Sequence, residues 1–204
     1  MSAELYLVTD EALLLGKSLL WTVEEAVCGG VRMVQLREKS APTRLFIERA
    51  IALKRMLAPY GVPLLINDRV DVALAADADG VHVGQSDMQV EMVRRLLPPG
   101  KIVGLSVESR EQVLAAENLE LDYIAASPVF ATPTKTNTVI EWGLDGVAWI
   151  RSVSRHRIVA IGGINPSNAA TVVQAGADSL AVVSAILSAE DPRAAAATFG
   201  KIIS

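Results

Sequence analysis

Two aspartates, Asp68 and Asp87, each follow a short apolar run: PLLI ends at Asn67-Asp68, and GVHVG continues into Gln85-Ser86-Asp87. Such runs read as buried strands, and the segment 69–76 between them has helical spacing. One strand–helix–strand step therefore brings two carboxylates to neighbouring strand ends at the same mouth. At close range they repel, and one pKa rises unless positive charge is supplied. Mg²⁺ is one source, since it takes one or two carboxylates together with waters and substrate phosphate oxygens. Two simpler readings stand beside it. Each Asp can cap the helix that follows, where Asp is favoured, or pair with an arginine.

Cations converge on the same mouth. Arg37 and Lys39 lie in QLREK after the run RMVQL, and Lys135 lies in SPVFATPTK after YIAA. Together with a metal they suit a multiply charged anion such as a pyrophosphate; taken singly, each reads as solvated surface charge. A second anion site is suggested by Gly162-Gly163 after RIVAI and by Val183-Ser184 after SLAVV. Backbone N–H groups there, and a short helix N-terminus, make a phosphate cradle. The loop FATPTKTNT reads either as a lid or as a surface loop.

Other residues read as structural. His82 points into the protein interior and His156 lies between helix and strand, and neither has a Cys/His/Glu partner at ligand spacing. Trp21, Trp142 and Trp149 read as packing, and the single cysteine, Cys28, as a buried inert thiol. One cysteine excludes an internal disulfide and fits a reducing cytosol. No G-x-S-x-G elbow, Walker A loop or dinucleotide fingerprint is present.

The elements that must carry these groups are legible as an alternation. Strands are predicted at 5–9, 32–36, 63–66, 80–83, 101–105, 123–126, 157–161 and 179–183, and helices at 23–28, 45–57, 69–76, 90–97, 110–118, 168–175 and 193–203. The stretch EALLLGKSLLWT admits several helix registers. The β runs are apolar on both faces, as parallel strands covered by helices are. With 204 residues and no linker, the chain reads as one domain, 1–204: an α/β fold of the (β/α)8 barrel type, with a doubly wound open sheet as the alternative. In such a barrel chemistry sits at the C-terminal strand ends, where the groups named above fall.

Composition narrows the partners. Hydrophobic residues make up 51%, aromatics 4%, and the net charge is −4 with dispersed cations. Nucleic-acid binding is disfavoured. No apolar stretch reaches the length of a membrane span, and the N-terminal MSAELYLVTD has no signal-peptide pattern. A cytoplasmic protein with small-molecule substrates is expected, with self-association as a homo-oligomer a further option.

QLREK, INDR, GVHVGQSD, SPVFATPTK, AIGGI and AVVSAI occur in an order and spacing that resemble the thiamine-phosphate synthase family, across nearly the whole chain. The resemblance implies a (β/α)8 transferase. It joins 4-amino-2-methyl-5-hydroxymethylpyrimidine diphosphate to a thiazole phosphate, releasing pyrophosphate, and CO₂ when the thiazole arrives as its carboxylate. It also implies roles. Gln35, Leu36, Arg37, Glu38, Lys39, Asn67, Ser106 and Lys135 would hold the pyrimidine diphosphate, with Arg37, Lys39, Lys135 and Ser106 assisting catalysis. Asp68 and Asp87 would be the Mg²⁺ ligands. Thr132, Pro133, Thr134, Gly163, Val183 and Ser184 would hold the thiazole phosphate. The sequence departs from the pattern at Ser127, where many relatives have Gly before PVF, and in TNTVIEWG. Two other readings share the scaffold. A thiazole tautomerase would need no diphosphate site, and a non-catalytic paralogue would bind precursors without turnover.

Overall fold

The computed structural model describes residues 3–132 and 141–203. Pro133, Thr134 and Lys135 lie outside the described residues.

The chain alternates strictly. β1 (Glu4–Val8) is followed by α1 (Leu19–Cys28), β2 (Met33–Leu36) by α2 (Thr43–Leu57), β3 (Leu64–Asn67) by α3 (Val70–Ala75) and β4 (Gly80–Val83) by α4 (Val90–Leu96). Then come β5 (Ile102–Val107), α5 (Arg110–Ala116), β6 (Tyr123–Ala126), α6 (Gly143–Val153), β7 (Arg157–Ile161), α7 (Ala169–Gln174), β8 (Ser179–Val182), the short α8 (Ser184–Leu187) and α9 (Pro192–Ile203). All neighbouring strands pair in parallel, and β1 pairs with β8 through Leu5 and Leu180, so the sheet closes into a barrel.

Period-two alternation explains why both strand faces are apolar. Leu5, Leu7, Val34, Leu36, Leu64, Ile66, Val81 and Val83 point outward into the main core beneath the helices. Tyr6, Val8, Leu65, Tyr123, Ala125, Val159 and Ala181 point inward and fill the barrel. The helices meet this surface with one apolar stripe each; in α2 it is Phe46, Ala50, Leu53 and Leu57.

The end of the barrel where the strands begin is tied by a repeated device. Asp79, Asp122 and Asp178 each precede a strand, and each carboxylate accepts the backbone N–H of the strand before: Leu64 at 2.8 Å, Val103 at 2.8 Å and Ile158 at 2.7 Å. Each also meets a cation, Lys54, Arg94 and Arg151 respectively. The Ala/Gly/Asp turns of the sequence are thus stitches between consecutive strands.

Four sequence expectations change. A helix, α6, stands between β6 and β7 where none was predicted; Gly143 and Gly146 interrupt an apolar pattern that Trp142, Val147 and Ile150 carry. EALLLGKSLLWT resolves into a 3₁₀ turn at Glu11–Leu14 and then the start of α1. Cys28 is exposed, because Val23, Ala26 and Val27 take the buried face of α1 and leave the last residue outside it. Trp21 is also exposed, whereas Trp142 is buried, donates to the Val107 carbonyl at 3.1 Å and stacks on Trp149. His156 is buried with Nε2 2.9 Å from the Ala116 carbonyl oxygen. Among the described residues no helix is long and apolar enough to cross a membrane.

Candidate active site

The C-terminal strand ends surround two adjoining cavities. The larger, about 590 Å³, is lined by Gln35, Arg37, Lys39, Asn67, Asp68, Asp87 and Ser106, with Tyr6 and the small residues Ala125 and Ala181 at its floor. The smaller, about 380 Å³, is lined by Thr132, Gly162, Gly163, Asn165, Val183 and Ser184. Val8, Arg37, Ser127, Ile161 and Ala181 border both, so the two compartments share one wall.

Strand geometry decides which members of QLREK face inward. Gln35 is buried in the barrel and Arg37 follows on the same side. Leu36 has the opposite parity and belongs to the outer core. Glu38 likewise turns away: its buried carboxylate accepts from Arg49 at 2.7 Å, and Arg49 also holds Glu11 at 2.5 Å. Burial pushes the Glu38 carboxyl up, and Arg49 opposes that. The side chains of Leu36 and Glu38 do not line the cavity, unlike those of Gln35, Arg37 and Lys39 in the same motif.

Asp68 and Asp87 do come together. Asp68 sits just past β3 with φ of 62°, a left-handed conformation uncommon outside glycine, and its N–H donates to the His82 carbonyl at 2.8 Å. Such backbone conformations persist where the surroundings over-determine them, often at functional sites. Its carboxylate pairs with Lys39 Nζ at 2.8 Å. Asp87 accepts from the Gly84 N–H at 2.8 Å. Burial pushes the Asp87 carboxyl up, and the neighbouring Asp68 charge adds to the rise. The capping reading fails, because Arg69 and Gln89 occupy the cap positions of α3 and α4. What remains is a carboxylate pair with one lysine beside it. Among the described residues no cluster of three or more His, Cys, Asp or Glu could cage a metal. Two carboxylates open to a cavity fit Mg²⁺, which keeps waters and takes phosphate oxygens from its substrate.

Arg37 is held from behind. Its backbone N–H donates to Thr9 Oγ1 at 3.0 Å and its guanidinium to Asp10 at 2.7 Å. Asp10 was missed, although its place in YLVTD, just after β1, is the same strand-end signal that marked Asp68. Gln85, Glu108 and Ser127 also line the larger cavity without having been singled out for it. In the smaller cavity, Gly162 and Gly163 have φ of 101° and 66°. A Cβ on Gly163 would lie 2.8 Å from the Ala131 carbonyl oxygen, so glycine alone lets the turn pass under the loop after β6. Asn168 Nδ2 fixes the turn through the Gly163 carbonyl at 2.9 Å. Ser184 opens α8; the N–H groups of Ile186 and Leu187 meet the Val183 carbonyl at 3.3 and 3.0 Å, whereas those of Ser184 and Ala185 come too early in the helix to have an intrahelical acceptor.

The model of the family described as "Thiamine monophosphate synthase" matches residues 5–186. The chain belongs to the thiamine monophosphate synthase family. A thiamine-phosphate synthase of Vibrio campbellii is 56% identical over 191 residues, covering 94% of this chain and 93% of the relative. One of Albidiferax ferrireducens is 54% identical over 199 residues, covering 98% and 91%. The solved thiamine phosphate pyrophosphorylase of Pyrococcus furiosus superposes with a TM-score of 0.89 at 40% identity, over 98% of this chain and 95% of that one. A 3-hexulose-6-phosphate synthase superposes with a TM-score of 0.68 at 18% identity, a likeness of fold alone.

Proposed function

We propose that this chain is a transferase that condenses 4-amino-2-methyl-5-hydroxymethylpyrimidine diphosphate with a thiazole phosphate to give thiamine phosphate and pyrophosphate, with CO₂ released as well when the thiazole arrives as its carboxylate. Beyond family membership, one observation carries the reading: two compartments, one lined by carboxylates and cations and one by glycine turns, share Arg37 as a wall.

The larger compartment takes the diphosphate. Arg37, braced by Asp10, and Lys39 bind its oxygens, and Lys135 joins them. Asp68 and Asp87 would hold Mg²⁺, which when bound supplies positive charge to the departing pyrophosphate. Gln35, Asn67 and Ser106 orient the pyrimidine above a floor of Tyr6, Ala125 and Ala181, which shields the reacting carbon from water. In the smaller compartment Thr132, Gly163, Val183 and Ser184 hold the thiazole phosphate, and Pro133 and Thr134, which follow Thr132 in the sequence, would join them. The C–O bond to pyrophosphate breaks, the pyrimidine stabilises the methylene cation, and the thiazole nitrogen forms the new C–N bond. The ring nitrogen is the nucleophile, so the protein's work is positioning and charge placement.

The test mixes the purified chain with both substrates and Mg²⁺ and measures thiamine phosphate and pyrophosphate, with an EDTA control. Stoichiometric, Mg²⁺-dependent formation of both is expected. Folded protein that makes neither, yet isomerises the carboxythiazole phosphate alone, would replace this reading with a tautomerase.

A further inference from the structure

A line of polar side chains crosses the barrel interior and joins two residues of the larger cavity that the strand order keeps apart. Gln35 Nε2 donates to the Tyr6 hydroxyl at 2.5 Å, and the Tyr6 and Tyr123 hydroxyls are 3.0 Å apart. The Tyr123 hydroxyl lies 2.9 Å from His82 Nδ1, and His82 Nε2 lies 2.9 Å from Ser106 Oγ. All except Ser106 are at most 8% exposed. The fold makes room for the line: Gly104 is the register partner of Tyr123, and a Cβ there would lie 2.1 Å from the Tyr123 ring. His82 stacks on the same ring at 16°.

Counting protons gives the line a direction. An amide nitrogen only donates, so the Tyr6 oxygen accepts from Gln35 and passes its own proton to Tyr123. The Tyr123 proton then goes to His82 Nδ1. A neutral imidazole has one N–H, which is left on Nε2 and donates to Ser106. Both phenols keep their protons, since burial pushes Tyr6 up to about 12 and Tyr123 well above the ordinary range.

We propose that Tyr6, Tyr123 and His82 form a polarised hydrogen-bond wire that locks His82 with its proton on Nε2, so that Ser106 meets the substrate as a donor and Gln35 as an acceptor. Tyr123 is the central positioning residue. The kinetic consequence rests on the reading of the larger cavity as the pyrimidine diphosphate site; the tautomer is a property of the free protein.

Long-range ¹H–¹⁵N correlation spectra of ¹⁵N-histidine protein, in the neutral form of the ring, test the wire directly. Wild type is expected to show the Nε2-protonated tautomer. Tyr123→Phe, which keeps the ring and removes the hydroxyl, is expected to give a mixture with the Nδ1 form. Its kcat/KM is expected to fall roughly tenfold, the scale of one lost hydrogen bond. An Nδ1 proton in wild type would overturn the direction, and an unmixed Nε2 form in Tyr123→Phe would overturn the lock. Shifted tautomers with unchanged kcat/KM would overturn the positioning of Ser106. Should Tyr123→Phe fail to fold, Tyr6→Phe serves. It is expected to keep the Nε2 form and raise KM for the pyrimidine diphosphate, and an unchanged KM would overturn the Gln35 end. Wild type with the expected tautomer but no thiamine phosphate would sink the functional reading and leave the wire standing.

Discussion

The two ends of the barrel use the same side chain for opposite purposes. Where the strands begin, Asp79, Asp122 and Asp178 each accept a strand N–H and pair with a cation. Where the strands end, Asp68 and Asp87 face one cavity, with Lys39 against Asp68 and the Asp87 carboxyl pushed up by burial. A carboxylate whose oxygens are satisfied from within the fold contributes stability. A carboxylate held near a like charge at an open mouth costs stability and is available to a ligand. For these five aspartates the role follows from which end of a strand each one flanks; Asp10, after β1, shows that a strand-end aspartate can also serve as a brace, here for Arg37.

That contrast can be broken by substitution, and the largest effect is expected at the open end. The left-handed backbone at Asp68 suits Asn, which tolerates that region, better than Ala. Asp68→Asn is expected to lower turnover by about a hundredfold to a thousandfold, as loss of a preorganised electrostatic contact does. Its unfolding midpoint in denaturant is expected not to fall below the wild-type value, since relief of the repulsion on Asp87 offsets loss of the Lys39 pair. Initial rates across a Mg²⁺ titration check the first claim, and near-wild-type rates would remove Asp68 from the metal assignment.

At the closed end the reverse is expected. Asp122→Ala leaves the N–H of the fully buried Val103 without its acceptor, costing roughly 1–3 kcal/mol of folding stability. Rates per folded molecule should match wild type. Urea melts paired with assays at low denaturant measure both, and a stable but inactive variant would erase the distinction between the ends.

The smallest effect is a dependence on pH. The folded pKa of Asp87 is raised, so between the ordinary aspartate value of 3.8 and the folded value the native state binds more protons than the unfolded chain. The destabilisation is absent below that window, grows as pH rises through it, and is full above it. In EDTA, wild type is expected to lose stability across the window while Asp87→Asn does not. Parallel slopes for the two proteins would deny the strain at Asp87.

Much of this was legible without coordinates, for reasons that individual residues make plain. The strand runs are apolar on both faces, and Asp68, Asp87, Ser106 and Gly163 stand at their ends, so their common mouth follows from the alternation alone. Which side chains of QLREK face inward was not legible, because a five-residue motif does not state its parity: a strand sends neighbours to opposite faces, and here Gln35 and Arg37 took the inside while Leu36 and Glu38 turned away. Helix α6 was hidden by its two glycines, whose low propensity masks a stripe that tertiary packing supplies. Cys28 and Trp21 show the converse, since an apolar neighbourhood in sequence does not say which face of α1 a residue takes.

Local rules along the chain were enough for the alternating elements, the single domain, the strand-end position of the charged groups and the family resemblance, because each depends on residues close in sequence. Closure of the sheet, the pairing of Lys39 with Asp68, the bracing of Arg37 by Asp10 and the wire from Gln35 to Ser106 join residues far apart in the chain. Those contacts exist only once strand register and barrel closure set distances and directions to within a hydrogen bond, which no periodicity encodes.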